Sequence, residues 1–222
     1  MNDLTTGYRN SDGLTEWVKR MLYLQILVAS ISIISNVMEY SLLSDFASGA
    51  YISEEQAVID AEANDQRQAF LGFLYLGVFF VSGFLILRWI HRANFNARQL
   101  GALDMEFTPG WSIGYYFIPI LTLWKPYQAM KEIWKASHHP KHWKNENVPS
   151  LLGWWWFLWI ATNLIGQAIF RLSMRAEEIS ELQLVNALTI ASNAIDIPLA
   201  IVLLKIVSVI YDAQKTAFRH GT

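Results

Sequence analysis

From residue 21 to 38 the chain runs 18 residues without a charged side chain, and further long apolar stretches follow at 68–87, 151–170 and 182–210. Crossing a hydrocarbon core of ~30 Å takes about 20 residues of helix. Repeated runs of this length constrain the chain to a membrane fold, and composition agrees. Of 222 residues, 53% are hydrophobic and 16% charged, with 10 Trp, which is more apolar than an ordinary soluble domain. The expected architecture is an all-α integral membrane protein, a four-transmembrane-helix bundle in a single membrane domain over 1–222. Its spans fall at about 18–43, 68–89, 151–171 and 182–210. A cleavable signal peptide is the rival reading of the first run. The run is longer than a usual signal core, and the small residues around 47–50 lie well beyond it.

The stretch between the second and third spans behaves differently. Residues 111–124 carry no charge, but 14 residues make only ~21 Å of helix. Thr108 followed by Pro109 has the composition of a helix start, a hydroxyl cap before a proline whose missing donor is harmless. Pro119 interrupts the run, and Lys125 with Pro126 restarts a second helix. There Tyr127, Met130, Ile133 and Trp134 recur on one side, with Gln128, Lys131, Glu132 and Lys135 on the other, the pattern of an amphipathic helix. Bases flank the segment on both sides, so both ends are expected in one compartment. Segment 108–137 therefore either lies in the interface or enters and returns.

Charge sets the orientation. Residues 44–66 are acidic without a base, whereas 14 of the 17 bases fall in the N-terminal segment, in 88–144 and from Lys205 onward. Arg67, Arg171 and Arg175 are the other three. Both termini are therefore expected in the cytoplasm, with 108–137 on the cytoplasmic side. Ser53 and Gln56 have capping-box spacing, and no proline or glycine follows before the second span. One helix of ~70 Å is expected to run from there to Gly101.

Polar groups inside the spans need partners. Gln25, Ser32, Asn36 and Glu39 mark the first span, Asn163 and Gln167 the third, and Asn186, Asn193 and Asp196 the fourth. On the second, Gly72, Gly77 and Gly83 would permit close helix approach. From the rise per residue, Glu39 and Arg171 both fall near ~30 Å from the inner face and are expected to pair. Asp196 falls near ~14 Å and Asn163 near ~18 Å, so Asp196, Asn163 and Asn193 form a candidate polar site. Pro198 weakens the helix beside Asp196, the arrangement of a transporter site. The structural alternative is a carboxyl group hydrogen-bonded between helices. His138, His139 and His142 suggest a metal, but Pro140 destroys the helical spacing that would aim two imidazoles together, and no metal or other cofactor is expected. The chain has no cysteine, which removes thiol catalysis and disulfides.

The strings WIHRANFNARQLGA, TPGW and YYFIPILTLWKPYQAMKEIW resemble the bacterial membrane-protein family known as domain of unknown function 4328. The resemblance covers about 21–211 and rests on Trp89, Arg92, Asn96, Gly101, Thr108, Pro109, Gly110, Trp111, Pro119, Pro126, Glu132 and Trp134. It implies a multi-spanning protein of the bacterial inner membrane and supplies no catalytic residue. The function expected is that of a scaffold or accessory subunit of a membrane complex, with lipid and another membrane protein or a second copy as partners, and no nucleic acid. The alternative is a small proton- or ion-coupled transporter using Asp196. An enzyme ranks behind both, because Glu132 and the histidines make a poor reactive cluster.

Overall fold

The computed structural model describes residues 7–51 and 53–220, and the described chain is helical, without strands. Six α-helices follow in order: α1 (Asp12–Ser48), α2 (Glu54–Gln99), α3 (Pro109–Gly114), α4 (Lys125–His138), α5 (Ser150–Ser173) and α6 (Ile179–His220). Short 3-10 turns occupy Tyr115–Phe117, Leu121–Leu123 and Pro140–Asn145. At 37, 46 and 42 residues, α1, α2 and α6 are long and apolar enough to cross a membrane, which makes this a multi-pass membrane protein. α5 has 24 residues but falls outside that group, because four indoles, Asn163 and Gln167 dilute its hydropathy.

Local chemistry explains the ends of α2. The Ser53 hydroxyl accepts from the Gln56 N–H at 3.2 Å, which caps the helix start. At the other end Gly101 adopts φ +102°, a conformation that a side chain resists, and the helix stops there. One of the expectations about the spans fails. A Cβ on Gly72, Gly77 or Gly83 would meet nothing within 4 Å, so these glycines face open surface and admit no close helix contact. Pro198 lies inside α6, which stays helical through it although proline donates no hydrogen bond there.

The chain divides into two compact units, and α1, α2, α5 and α6 lend residues to both. One unit comprises residues 7–22, Val81–Phe157 and 202–220. Its core packs Leu22, Trp89, Ile90, Met130, Ile133, Leu152, Ile206 and Ile210, all buried. Within it the Asp12 carboxylate accepts from the Tyr211 hydroxyl at 2.6 Å and from Lys215 at 3.3 Å, and the buried Gln214 amide donates to Ala93 O and Ser137 Oγ, both at 2.8 Å. We call this the loop-bearing unit. The other, the span unit, comprises Tyr23–Phe80 and Leu158–Ile201. Val28, Ala29, Leu71 and Val78 are buried in it, while Ile34, Phe70, Phe73 and Leu164 face outward, a distribution suited to lipid.

Candidate functional site

In the loop-bearing unit Trp89, Arg92 and Asn96 of α2 bind groups of the chain's own N-terminal segment. Trp89 is buried, and its indole N–H donates to Thr15 Oγ1 at 3.1 Å. One turn on, Arg92 donates to Asn10 O at 2.8 Å. Asn96 binds the Arg9 peptide in both directions, accepting its N–H at 3.0 Å and donating to its carbonyl at 2.9 Å. These side chains share one face of α2, as their spacing requires.

A second set fixes the strap that leads from α2 into α3. Arg98 donates to the carbonyls of Met105 and Phe107 at 2.9 and 2.8 Å, and Asn94 donates to the Phe107 carbonyl at 2.9 Å. From the opposite side the Glu132 carboxylate of α4 accepts the N–H groups of Glu106 and Phe107, the latter at 3.0 Å. The strap's polar backbone is thereby satisfied from two helices. Glu132 was expected on the exposed face of α4, and this is a correction: it is only 6% exposed. Its neighbours one turn either way, Ala129 and Ala136, are fully buried, and two peptide donors make its own burial tolerable. Burial pushes the Glu132 carboxyl above the usual carboxylate range, against the opposing effects of the Phe107 and Glu106 N–H groups and of Arg98.

The rest of segment 108–137 follows its sequence signals. Thr108 caps α3 by accepting the Trp111 N–H at 3.2 Å, with Pro109 in the first turn and Gly110 beside it. Trp111 stays half-exposed and packs on Tyr115. At Pro119 helix gives way to a tight turn in which Leu121 N–H reaches Pro119 O at 2.8 Å and Ile120 takes φ +70°, ψ −55°. That is a γ-turn of the strained hand, carried by a β-branched residue. Pro126 opens α4 and is buried, as is Trp134, whose ring stacks on His138.

The span unit holds the intramembrane candidates, and it pairs them differently from expectation. Asp196 accepts the Tyr75 hydroxyl at 2.9 Å, while the Thr162 hydroxyl donates to the Leu158 carbonyl of its own helix at 2.9 Å. Asn163 instead donates to the Trp159 carbonyl of its own helix at 2.7 Å and is exposed. Asn193 is buried, and no hydrogen bond joins it to Asp196 among the described residues. The trio thus contracts to one member, with Tyr75 as the partner that hydropathy concealed by counting it as apolar.

Glu39 likewise does not meet Arg171; no ion pair joins them among the described residues, and Arg171 is exposed. Glu39 accepts from Asn186 at 2.6 Å, Gln68 at 2.9 Å and Asn64 at 3.4 Å. The cation of this cluster is Arg67, which donates to Asn64 Oδ1 at 2.5 Å and Ser35 Oγ at 2.9 Å. Arg67 reaches Glu39 only through Asn64, which donates to the carboxylate and accepts from the guanidinium. A signal was present, since Arg67 is the single base between Arg20 and Arg88. Asn186 Nδ2 faces both Glu39 and Asn36 Oδ1, which fixes its amide and leaves the buried Asn186 Oδ1 without a donor among the described residues.

These features define a multi-pass, all-helical membrane protein in which polar side chains of α2 and α4 secure the chain's own loops. The family described as Domain of unknown function (DUF4328) matches residues 54–212, and the chain belongs to it. The matched region starts at the head of α2 and leaves α1 outside. No curated protein and no solved structure matches the chain.

Proposed function

We propose that this protein is a scaffold or accessory subunit of a complex in the bacterial inner membrane. It is one membrane domain that crosses the bilayer four times, through α1, α2, α5 and α6, with both termini in the cytoplasm. α5 crosses with its indoles at the headgroup boundary. Segment 108–137 lies in the cytoplasmic interface, where the exposed Phe117, Ile120 and Leu123 enter lipid. The observation that carries this reading is the engagement of the motif residues: Trp89, Arg92, Asn96 and Glu132 each bind backbone or a side chain of the same chain. Polar groups used this way shape a surface. The expected partner is another membrane protein or a second copy.

The rival, a small proton- or ion-coupled transporter, draws on the Asp196 carboxylate within a span beside Pro198. Two observations weigh against it: Asp196 is hydrogen-bonded by Tyr75, and α6 stays helical through Pro198. Flux measurements on the reconstituted chain separate the two. A scaffold gives no proton- or sodium-driven flux above empty vesicles, and photo-crosslinkers on its lipid-facing positions yield a discrete adduct with one membrane protein or with itself. Flux that Asp196→Asn abolishes, in a variant that melts like the parent, would overturn the proposal.

A further inference from the structure

The first charge after the uncharged run of α2 is Arg88. Residues 68–87 make ~30 Å of helix, so Arg88 and the turn after it stand at the level of the lipid headgroups. Arg92 follows one turn later on the same face. Arg9 joins them from the N-terminal segment, because Asn96 binds its peptide in both directions while Arg92 donates to the next carbonyl, Asn10 O, at 2.8 Å.

The three guanidiniums are placed but not neutralised. That of Arg9 lies over the Phe95 ring, 4.3 Å from its centroid, a stacking that occupies its face and leaves its in-plane N–H donors for an anion. Arg92 has donors to spare after Asn10, and Arg88 is exposed. Among the described residues no carboxylate forms an ion pair with any of the three. The acids of the described N-terminal segment are engaged elsewhere, Asp12 by Tyr211 and Lys215 and Glu16 by Lys19. Burial first, and then the charges of Arg9 and Arg88, lower the Arg92 pKa, so the like charges stand close enough to repel.

Depth and geometry decide which anion relieves that repulsion. A guanidinium presents paired N–H donors that match two oxygens of one phosphate, and it stays charged throughout the physiological range. At the headgroup level the phosphates within reach belong to lipids. In a zwitterionic lipid a cation of the same headgroup offsets the phosphate, whereas an anionic phospholipid keeps its negative charge and is drawn to clustered bases. One turn before Arg88 on the same face, Phe84 is exposed and offers an acyl chain an apolar neighbour. We propose that Arg9, Arg88 and Arg92 bind the phosphate of an anionic phospholipid, with an acyl chain beside Phe84. The site needs only that α2 crosses the bilayer, whatever partner the protein assembles with.

Native mass spectrometry of the full chain, released from detergent to which phosphatidylglycerol or phosphatidylcholine has been added, tests this. Phosphatidylglycerol should be retained with about tenfold preference, and Arg88→Gln and Arg9→Gln should each lower its affinity about fivefold. Both residues are exposed, so the melting temperature without lipid should stay that of the parent. Lys141→Gln removes the same charge from another exposed position and should leave the affinity unchanged. Equal retention of the two lipids overturns the proposal. A loss from Lys141→Gln as large as that from Arg88→Gln also overturns it, because it marks diffuse attraction to the whole basic surface. Displacement of the lipid by an equal concentration of glycerol phosphate would do the same, since a soluble phosphate would then suffice.

Discussion

The Tyr75 hydroxyl of α2 donates to the Asp196 carboxylate of α6 across 2.9 Å, joining two helices whose residues lie 121 positions apart in the chain. If this bond is packing chemistry, its loss is a stability effect. Tyr75→Phe should lower stability in detergent by about 1–2 kcal/mol, since it strips a donor from a partly buried carboxylate. Asp196→Asn should cost less, because an amide oxygen still accepts from Tyr75. A thermal melt of each variant is the measurement, and a larger loss from Asp196→Asn would contradict this.

The Glu39 cluster predicts where coupling lies. In double-mutant cycles Glu39→Gln should couple to Arg67→Gln and to Asn186→Leu by about 0.5–3 kcal/mol, because they share one hydrogen-bond network. Glu39→Gln with Arg171→Gln should be additive. Coupling to Arg171 comparable to that with Arg67 would restore the pairing expected from depth.

Glu132 makes a prediction with a definite sign. Its carboxyl titrates above the usual glutamate value in the folded protein, so between those two values the folded state holds a proton that the unfolded state has released. Its contribution is fully present below the unfolded value and is lost as pH rises through the folded value. Glu132→Gln should flatten that part of the pH–stability profile. Glu132→Ala, which leaves two peptide N–H groups without their acceptor, should cost about 3 kcal/mol.

Backbone strain separates two positions of similar appearance. Ile120→Gly should stabilise the protein in detergent by about 1 kcal/mol, because a residue without a β-carbon accepts φ +70° freely. Gly101→Ala should destabilise it by about 1–2 kcal/mol for the converse reason, φ +102°. No atom lies within 4 Å of a Cβ on Gly101, so any loss there is conformational. Chemical melts of the two variants should shift in opposite directions.

Topology is checked with reporter fusions. Cytoplasmic signals are expected after Gly101, Asn147 and His220, and outside signals near Ala50 and Glu178. An outside signal at Asn147 would make segment 108–137 a span and remove the four-span proposal.

The sequence made some features legible and hid others for physical reasons. Helix punctuation read well: Ser53, Gly101, Thr108 and Pro126 act locally, and local chemistry is visible one residue at a time. Partner choice read poorly. Glu39 could be placed in depth by counting residues, but which helix faces it depends on rotation about each axis, and counting carries no such information. Tyr75 and Glu132 failed in opposite directions, one counted as apolar although its hydroxyl binds Asp196, the other counted as exposed although two peptides shield it.

The bonds made by Tyr211, Gln214 and Lys215 set an order of assembly. These residues emerge from the ribosome after every other described helix has been made, yet they hold Asp12 at the head of α1, Ala93 on α2 and Ser137 on α4. Until they arrive, the strap can close locally through Arg98 and Glu132, but Ser137 and the Ala93 carbonyl have no cross-helix partner. Premature termination before residue 211 would yield a chain whose earlier spans can insert while polar groups meant for its interior stay unpaired. The turns of α6 that carry these three residues are therefore the last of the described helices to be made and the ones that close the loop-bearing unit around Asp12, Ala93 and Ser137.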